Sequence, residues 1–137
     1  MATWKKLVLA ADTTTIVITL TFSIAGALTT GQKTQRLLAP CAITLTKVRL
    51  VVDTAPTGAN LIVDVHTGTG AGTTIFTTQG NRPTIVATEK TGVSVAPDVT
   101  AIAEGDELSV FIDQVGSTIA GADLTIEVIG TQQVTFT

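Results

Sequence analysis

The sequence predicts an all-β fold, an antiparallel sandwich of about eight strands with jelly-roll connectivity, preceded by a short N-terminal arm. Three observations predict it. Thr, Val and Ile are abundant while Tyr is absent, and branching at Cβ restricts χ1 in a helix but suits extended backbone. Apolar and polar residues alternate with a period of two in one segment after another. Twelve glycines and four prolines punctuate these segments, and no window holds the Ala/Leu/Glu/Lys series of a stable helix.

At 137 residues the chain suffices for one hydrophobic core, so residues 1–12 are read as an arm and 13–137 as one sandwich domain. With 45% hydrophobic and 14% charged residues and a mean hydropathy of +0.48, it is too apolar to stay disordered. Lys5, Lys6 and the apolar run after them loosely imitate a signal peptide, but Asp12 and three threonines interrupt it, and cleavage is not expected. No stretch approaches the ~20 apolar residues of a helical membrane span.

The first strand is expected over 16–24, with Ile16, Ile18, Leu20, Phe22 and Ile24 facing the core. Residues 25–40, rich in Gly, Thr and Gln, read as a long connection that crosses between sheets. A strand follows over 42–53, in which the inward parity changes from Ile43 and Leu45 to Val48, Leu50 and Val52. A bulge or sheet switch near Thr46 and Lys47 would do that. After a turn through Pro56 and Gly58, the strand over 61–66 points Leu61, Val63 and Val65 inward and Asp64 and His66 outward. Short edge strands are expected over 73–78 and 83–88, since Pro83 cannot donate to a ladder. A strand over 107–113 has Leu108, Val110 and Ile112 alternating with polar positions. Leu124, Ile126 and Val128 share a face of the next, and after Gly130 a last strand runs over 132–136.

Charge is uneven. Residues 1–90 hold all eight basic residues and four acids, and 91–137 hold seven acids and no base. Such asymmetry suits head-to-tail complementarity between subunits, while a pI near 4.9 argues against a basic nucleic-acid binder. The single cysteine, Cys41, excludes an intrachain disulfide framework.

Catalytic chemistry is hard to assemble from these residues, and the chain is read as non-enzymatic. His66 is the only histidine, and no G-x-S-x-G elbow accompanies it. Zinc ligands of suitable type and spacing are missing. Asp98, Glu104, Asp106, Glu107, Asp113 and Asp123 are scattered carboxylates without a calcium-loop pattern, and no glycosidase pair can be picked from them. Gly68 to Gly72 lacks the Lys and following helix of a phosphate loop. Trp4 and four phenylalanines are too few to suggest a base-stacking or sugar-binding shelf. No cofactor or metal is expected.

The candidate contact residues are instead Trp4, Lys5, Lys6, Leu7, Val8 and Leu9 in the arm, which can add a strand to a neighbouring subunit, and Lys33, Arg36, Leu37 and Leu38 in the connection.

The opening Met1-Ala2-Thr3-Trp4-Lys5-Lys6 resembles the start of virion proteins of tailed bacteriophages, especially phages of cyanobacteria and other aquatic bacteria. Phe22-Ser23-Ile24-Ala25-Gly26, Val52 to Ala59, Ala103 to Leu108, Asp113 to Ser117 and Gly121 to Ile126 resemble the turns and strands of a β-domain that recurs in those proteins. The resemblance spans about residues 20–130 and carries no catalytic positions. It implies a capsid decoration (cement) protein on the virion surface, acting as a homotrimer on the major capsid protein, with neither nucleic acid nor membrane as partner. The alternative it implies is a tail or fibre module that binds a host-surface glycan. A secreted carbohydrate-binding or hydrolytic domain is a third reading, which mature protein starting near Leu28 would favour.

Overall fold

The computed structural model describes residues 13–135, folded as two antiparallel sheets packed face to face. Ten strands follow in chain order: β1 (Thr13–Ala27), β2 (Gly31–Leu38), β3 (Ile43–Thr54), β4 (Leu61–Thr67), β5 (Thr73–Thr74), β6 (Thr84–Ile85), β7 (Thr91–Val93), β8 (Ala101–Ile102), β9 (Glu107–Gln114) and β10 (Ala122–Thr135). One sheet runs β1-β10-β3-β7 with β8 also on β3; the other runs β2-β9-β4-β5 with β6 also on β4. Because β7 and β8 share one flank of β3, and β5 and β6 one flank of β4, ten strands fill eight lateral positions. The count is the predicted one, although the expected strands fill six of these positions, 73–78 and 83–88 sharing a flank of β4 and 132–136 continuing β10; the order is compatible with a jelly roll.

The core is built by the predicted alternation. Leu45, Val48, Leu50 and Val52 of β3 and Leu124, Ile126 and Val128 of β10 meet Leu61, Val63 and Val65 of β4 and Leu108, Val110 and Ile112 of β9, all buried. Each such side chain contributes about 1.5–3 kcal/mol through burial. The parity change in β3 is a bulge. Lys47 pairs with Ile129 and Leu45 with Gly130, so Thr46 has no ladder partner and its Oγ1 donates to the Ile129 carbonyl at 3.1 Å.

Several expectations are corrected. Residues 31–38 form β2 instead of loop, because the segment pairs with β9; its apolar content is low, so the alternation was masked by Gln, Lys and Arg. Ile16 is 42% exposed, since β1 extends past the sandwich, whereas Phe22 is buried. Strand pairing in 73–78 and 83–88 is confined to two residues each, and Ile75 and Phe76 enter the core from outside any strand. Pro83 still serves the sheet by accepting from Val63 N–H at 3.1 Å. Gly130 does not end a strand: β10 continues through it to Thr135. β7 and β8, unpredicted, are three and two residues long, too short to show a period.

Candidate interaction surface

A β-sandwich presents four sheet edges, and each exposes unpaired N–H and C=O groups unless it is blunted. Three edges here are blunted. β5, β6 and β8 are two residues long and β7 three. β2 is interrupted by a register shift between Gln32 and Arg36 and carries both Lys33 and Arg36.

The fourth edge is different. β1 is 15 residues long, holds no proline, and no charged side chain occurs from Thr13 to Gln32. Its pairing with β10 is unbroken from Thr13 to Ile24. Ser23 N–H donates to Gln35 Oε1 at 3.1 Å, which fixes the parity. Odd-numbered residues turn their backbone groups away from β10, because alternate residues of an antiparallel ladder point to opposite sides. Gln35 caps the upper end of the edge, and among the described residues Thr13, Thr15, Val17, Thr19 and Thr21 keep theirs open. Ile16 is 42% and Val17 66% exposed, on opposite faces of the strand.

The predicted contact residues divide. Trp4, Lys5, Lys6, Leu7, Val8 and Leu9 lie outside the described residues. Lys33, Arg36, Leu37 and Leu38 lie on β2, the edge strand of the second sheet on the same flank as β1. Lys33 Nζ donates to the Thr29 carbonyl and hydroxyl, and Arg36 Nε pairs with Glu107 at 3.0 Å while its Nη1 donates to the Lys33 carbonyl. Both cations are therefore engaged within the chain. Leu37 packs against the core, and Leu38, 67% exposed, is the member left for contact.

The polar residues weighed for chemistry hold turns and loops. Asp64 was expected outward and is buried. Its Oδ1 accepts from Val65 N–H and Thr74 Oγ1 at 2.8 and 2.7 Å, and its Oδ2 lies 3.4 Å from His66 Nε2. His66 Nδ1 lies 2.9 Å from the Ala71 carbonyl, and the ring stacks on Phe111 with centroids 4.0 Å apart. Gln32 Nε2 donates to the Gly70 carbonyl at 2.8 Å, so the glycine-rich loop is pinned from two strands. Ser109, directly across from His66, is buried and its Oγ has no hydrogen-bond partner, so Asp64, His66 and Ser109 form no proton relay.

Most of the carboxylates are similarly occupied. Asp113 pairs with Arg82 at 2.6 Å, Asp123 accepts from Gly26 N–H at 2.7 Å, and Asp106 accepts from Ala103 N–H at 2.9 Å. Asp98 takes Thr78 N–H and hydroxyl, and the backbone bond above all holds its carboxyl below the ordinary 3.8. Among the described residues no three His, Cys, Asp or Glu side chains converge as metal ligands.

No family model matches the chain, and no curated protein matches it. Among solved structures it is similar to a chain of the cyanophage Pam1 capsid asymmetric unit, at a TM-score of 0.49 and 12% identity over 95% of this chain and 93% of that one. It is also similar to a chain of the disulfide-linked pili of Bacillus endospore appendages, at a TM-score of 0.42 and 15% identity over 98% and 100%.

The open β1 edge was missed at the sequence level, although a signal for it exists. An alternating strand is followed by a connection with no charge until Lys33, and charge is the commonest guard of an edge. Which strand lies at an edge, however, depends on pairing between strands as far apart in sequence as β1 and β10.

Proposed function

We propose that this chain is a non-enzymatic structural protein of a tailed-phage particle, a decoration protein that binds the major capsid protein on the outer head surface as a homotrimer. The observation that carries the reading is where the phage-like segments fall. Four of the five, extended by the residues just after them, meet at one end of the sandwich and bond there. Gly26 N–H reaches Asp123, Leu28 N–H reaches the Gly121 carbonyl, and Thr57 exchanges backbone bonds with Ile119 and Thr118, at 2.7 to 3.0 Å. The resemblance therefore tracks one built cap of turns, and it brings the virion context with it.

Attachment on this reading is apolar burial. At ~25 cal/mol per Å², exposed Val, Ile and Leu together with arm residues 4–9 give modest contacts that become strong when several subunits engage at once.

The test is a cryo-EM map of the intact particle. Density for this chain at threefold or quasi-threefold positions on the head is the expected result, and density on the tail or fibres would overturn it. Deleting residues 1–9 should weaken particle binding while leaving the circular dichroism spectrum unchanged. Full occupancy by the truncated chain would remove the arm from the mechanism.

A further inference from the structure

β10 outlasts its neighbour β3. Pairing between them stops at Thr131 and Thr44, while pairing with β1 on the other flank continues to Thr135. Past the start of β3, the far flank of β10 therefore has no strand beside it among the described residues. An open groove lies there, lined by Ala42, Ile43, Ala101, Ile102, Thr131 and Gln133. Its bonding parity is fixed twice. Ser23 turns its N–H away from β10 toward Gln35 and pairs with Thr125, so odd-numbered residues of β10 face the β3 side. The Ile129 carbonyl, which accepts from Thr46 Oγ1, faces that side too. Gln133 and Thr135 accordingly turn an N–H and a C=O each into the groove.

We infer that this groove receives the N-terminal arm of a second copy of the chain, whose residues 7–9 add a short strand antiparallel to β10 while Lys5 and Lys6 reach the acidic turn at Glu104 and Asp106. Three observations choose this occupant. The first is charge. β8 and β10, the two walls of the groove, belong to residues 91–137, which hold seven acids and no base, and the exposed Glu104 comes just after Ile102. Lys5 and Lys6 directly precede Leu7-Val8-Leu9, so the arm brings opposite charge and apolar side chains in one short stretch, a complementarity that fixes register. The second is position. Residues 1–12 join the described structure at Thr13, which pairs with Thr135, so arm and groove lie at the same end of the sandwich and side-by-side copies exchange arms over a short reach.

The third observation, strand direction, decides between copies. The chain's own arm has to end at Thr13, and in the groove it would run parallel to β10. Every ladder among the described residues is antiparallel, and antiparallel pairing is the more stable per residue. A second copy's arm enters from the other direction and pairs antiparallel.

Arm and groove are different surfaces, so copies that each pass an arm onward close into a ring. Each contact is weak alone, with two residues of β10 open to it, and closure of the ring makes the contacts act together. The arm and the homotrimer are those of the proposed function, on which this reading rests; the groove itself needs no phage particle.

The experiment is sedimentation equilibrium of the full chain over a concentration series. Assembly to a fixed multiple of the chain mass is expected, three under the proposed function. Gln133→Pro removes an N–H that faces the groove and keeps the β1 ladder, since proline is tolerated where no ladder bond is given; it should move assembly at least tenfold higher in concentration with unchanged circular dichroism. Glu104→Lys, in the exposed turn, should do the same and stands in if the proline variant misfolds. Lys5→Glu with Lys6→Glu should also weaken assembly, and adding Glu104→Lys to that pair should restore it. In a Cys41→Ser background, Val8→Cys with Gln133→Cys should form disulfides between chains on mild oxidation.

A mass of one chain at every concentration would overturn the inference, as would assembly indifferent to both groove variants. Disulfides formed within single chains would also overturn it and give the groove to the chain's own arm. A fixed multiple other than three would sink the homotrimer and leave arm exchange standing. A particle map lacking this chain would sink the virion reading and leave ring assembly untouched, so the failures are distinguishable.

Discussion

Ser109 shows what a single residue position can and cannot declare. It alternates with Leu108 and Val110 on β9 and so belongs to the outward face, where a serine is unremarked in the sequence. In the fold it lies between Arg36 and His66 in register, is wholly buried, and leaves Oγ without a partner. An unsatisfied buried hydroxyl costs about 1–3 kcal/mol, whereas a methyl group of similar size at the same place carries no such cost. Ser109→Ala should therefore raise the unfolding free energy by about 1 kcal/mol in urea titration, with an unchanged m-value. A loss of stability of that size would mean that Oγ is bonded after all. His66 is the complementary case, since its stacking on Phe111 exists only because β4 lies beside β9.

At the scale of elements, Gly130 is the position where the sequence pointed to a break and the fold built continuity. Glycine inside a strand marks either an interruption or a close approach of another backbone. Here it is the second: a Cβ at Gly130 would run into Ile43 Cγ2 and the Thr44 carbonyl, where β10 crosses the bulged part of β3. Gly130→Ala should cost about 1–3 kcal/mol, read as a lower midpoint in denaturant, and its damage should be local to β3 and β10 in hydrogen exchange. A neutral substitution would mean that the bulge at Thr46 can relax. The same contrast explains what was legible. Period and turn residues placed β1, β3, β4, β9 and most of β10, and the bulge itself could be read from the switch between Leu45 and Val48. Polar β2 hid because Gln32, Lys33, Gln35 and Arg36 conceal its alternation, and β5 to β8 hid because two or three residues have no period. The candidate surface was less legible. Leu38 was picked for its apolar character, while the β1 edge depends on which strand ends up outermost.

For the described residues as a whole, the first and last strands lie together, β1 paired to β10, and the two sheets share one core. The first consequence is that buried and exposed positions of the same alternating strands carry very unequal shares of the stability. Val110 stands at the centre of β9 with no exposed surface, and a carboxylate there has no cation or donor within the apolar layer between the sheets. Burying an unpaired charge costs far more than the whole stability of a domain of this size. Val110→Asp should accordingly abolish folding, seen as loss of the β-sheet circular dichroism spectrum and of any cooperative urea transition. Val17→Lys, on an exposed edge position 66% accessible, should leave that transition within about 0.5 kcal/mol of the parent. A folded Val110→Asp chain would show that β9 can turn its other face inward. Unfolding by Val17→Lys would show that the projecting part of β1 belongs to the core, and the separation between a buried face that folds the chain and an exposed edge that tolerates charge would be lost.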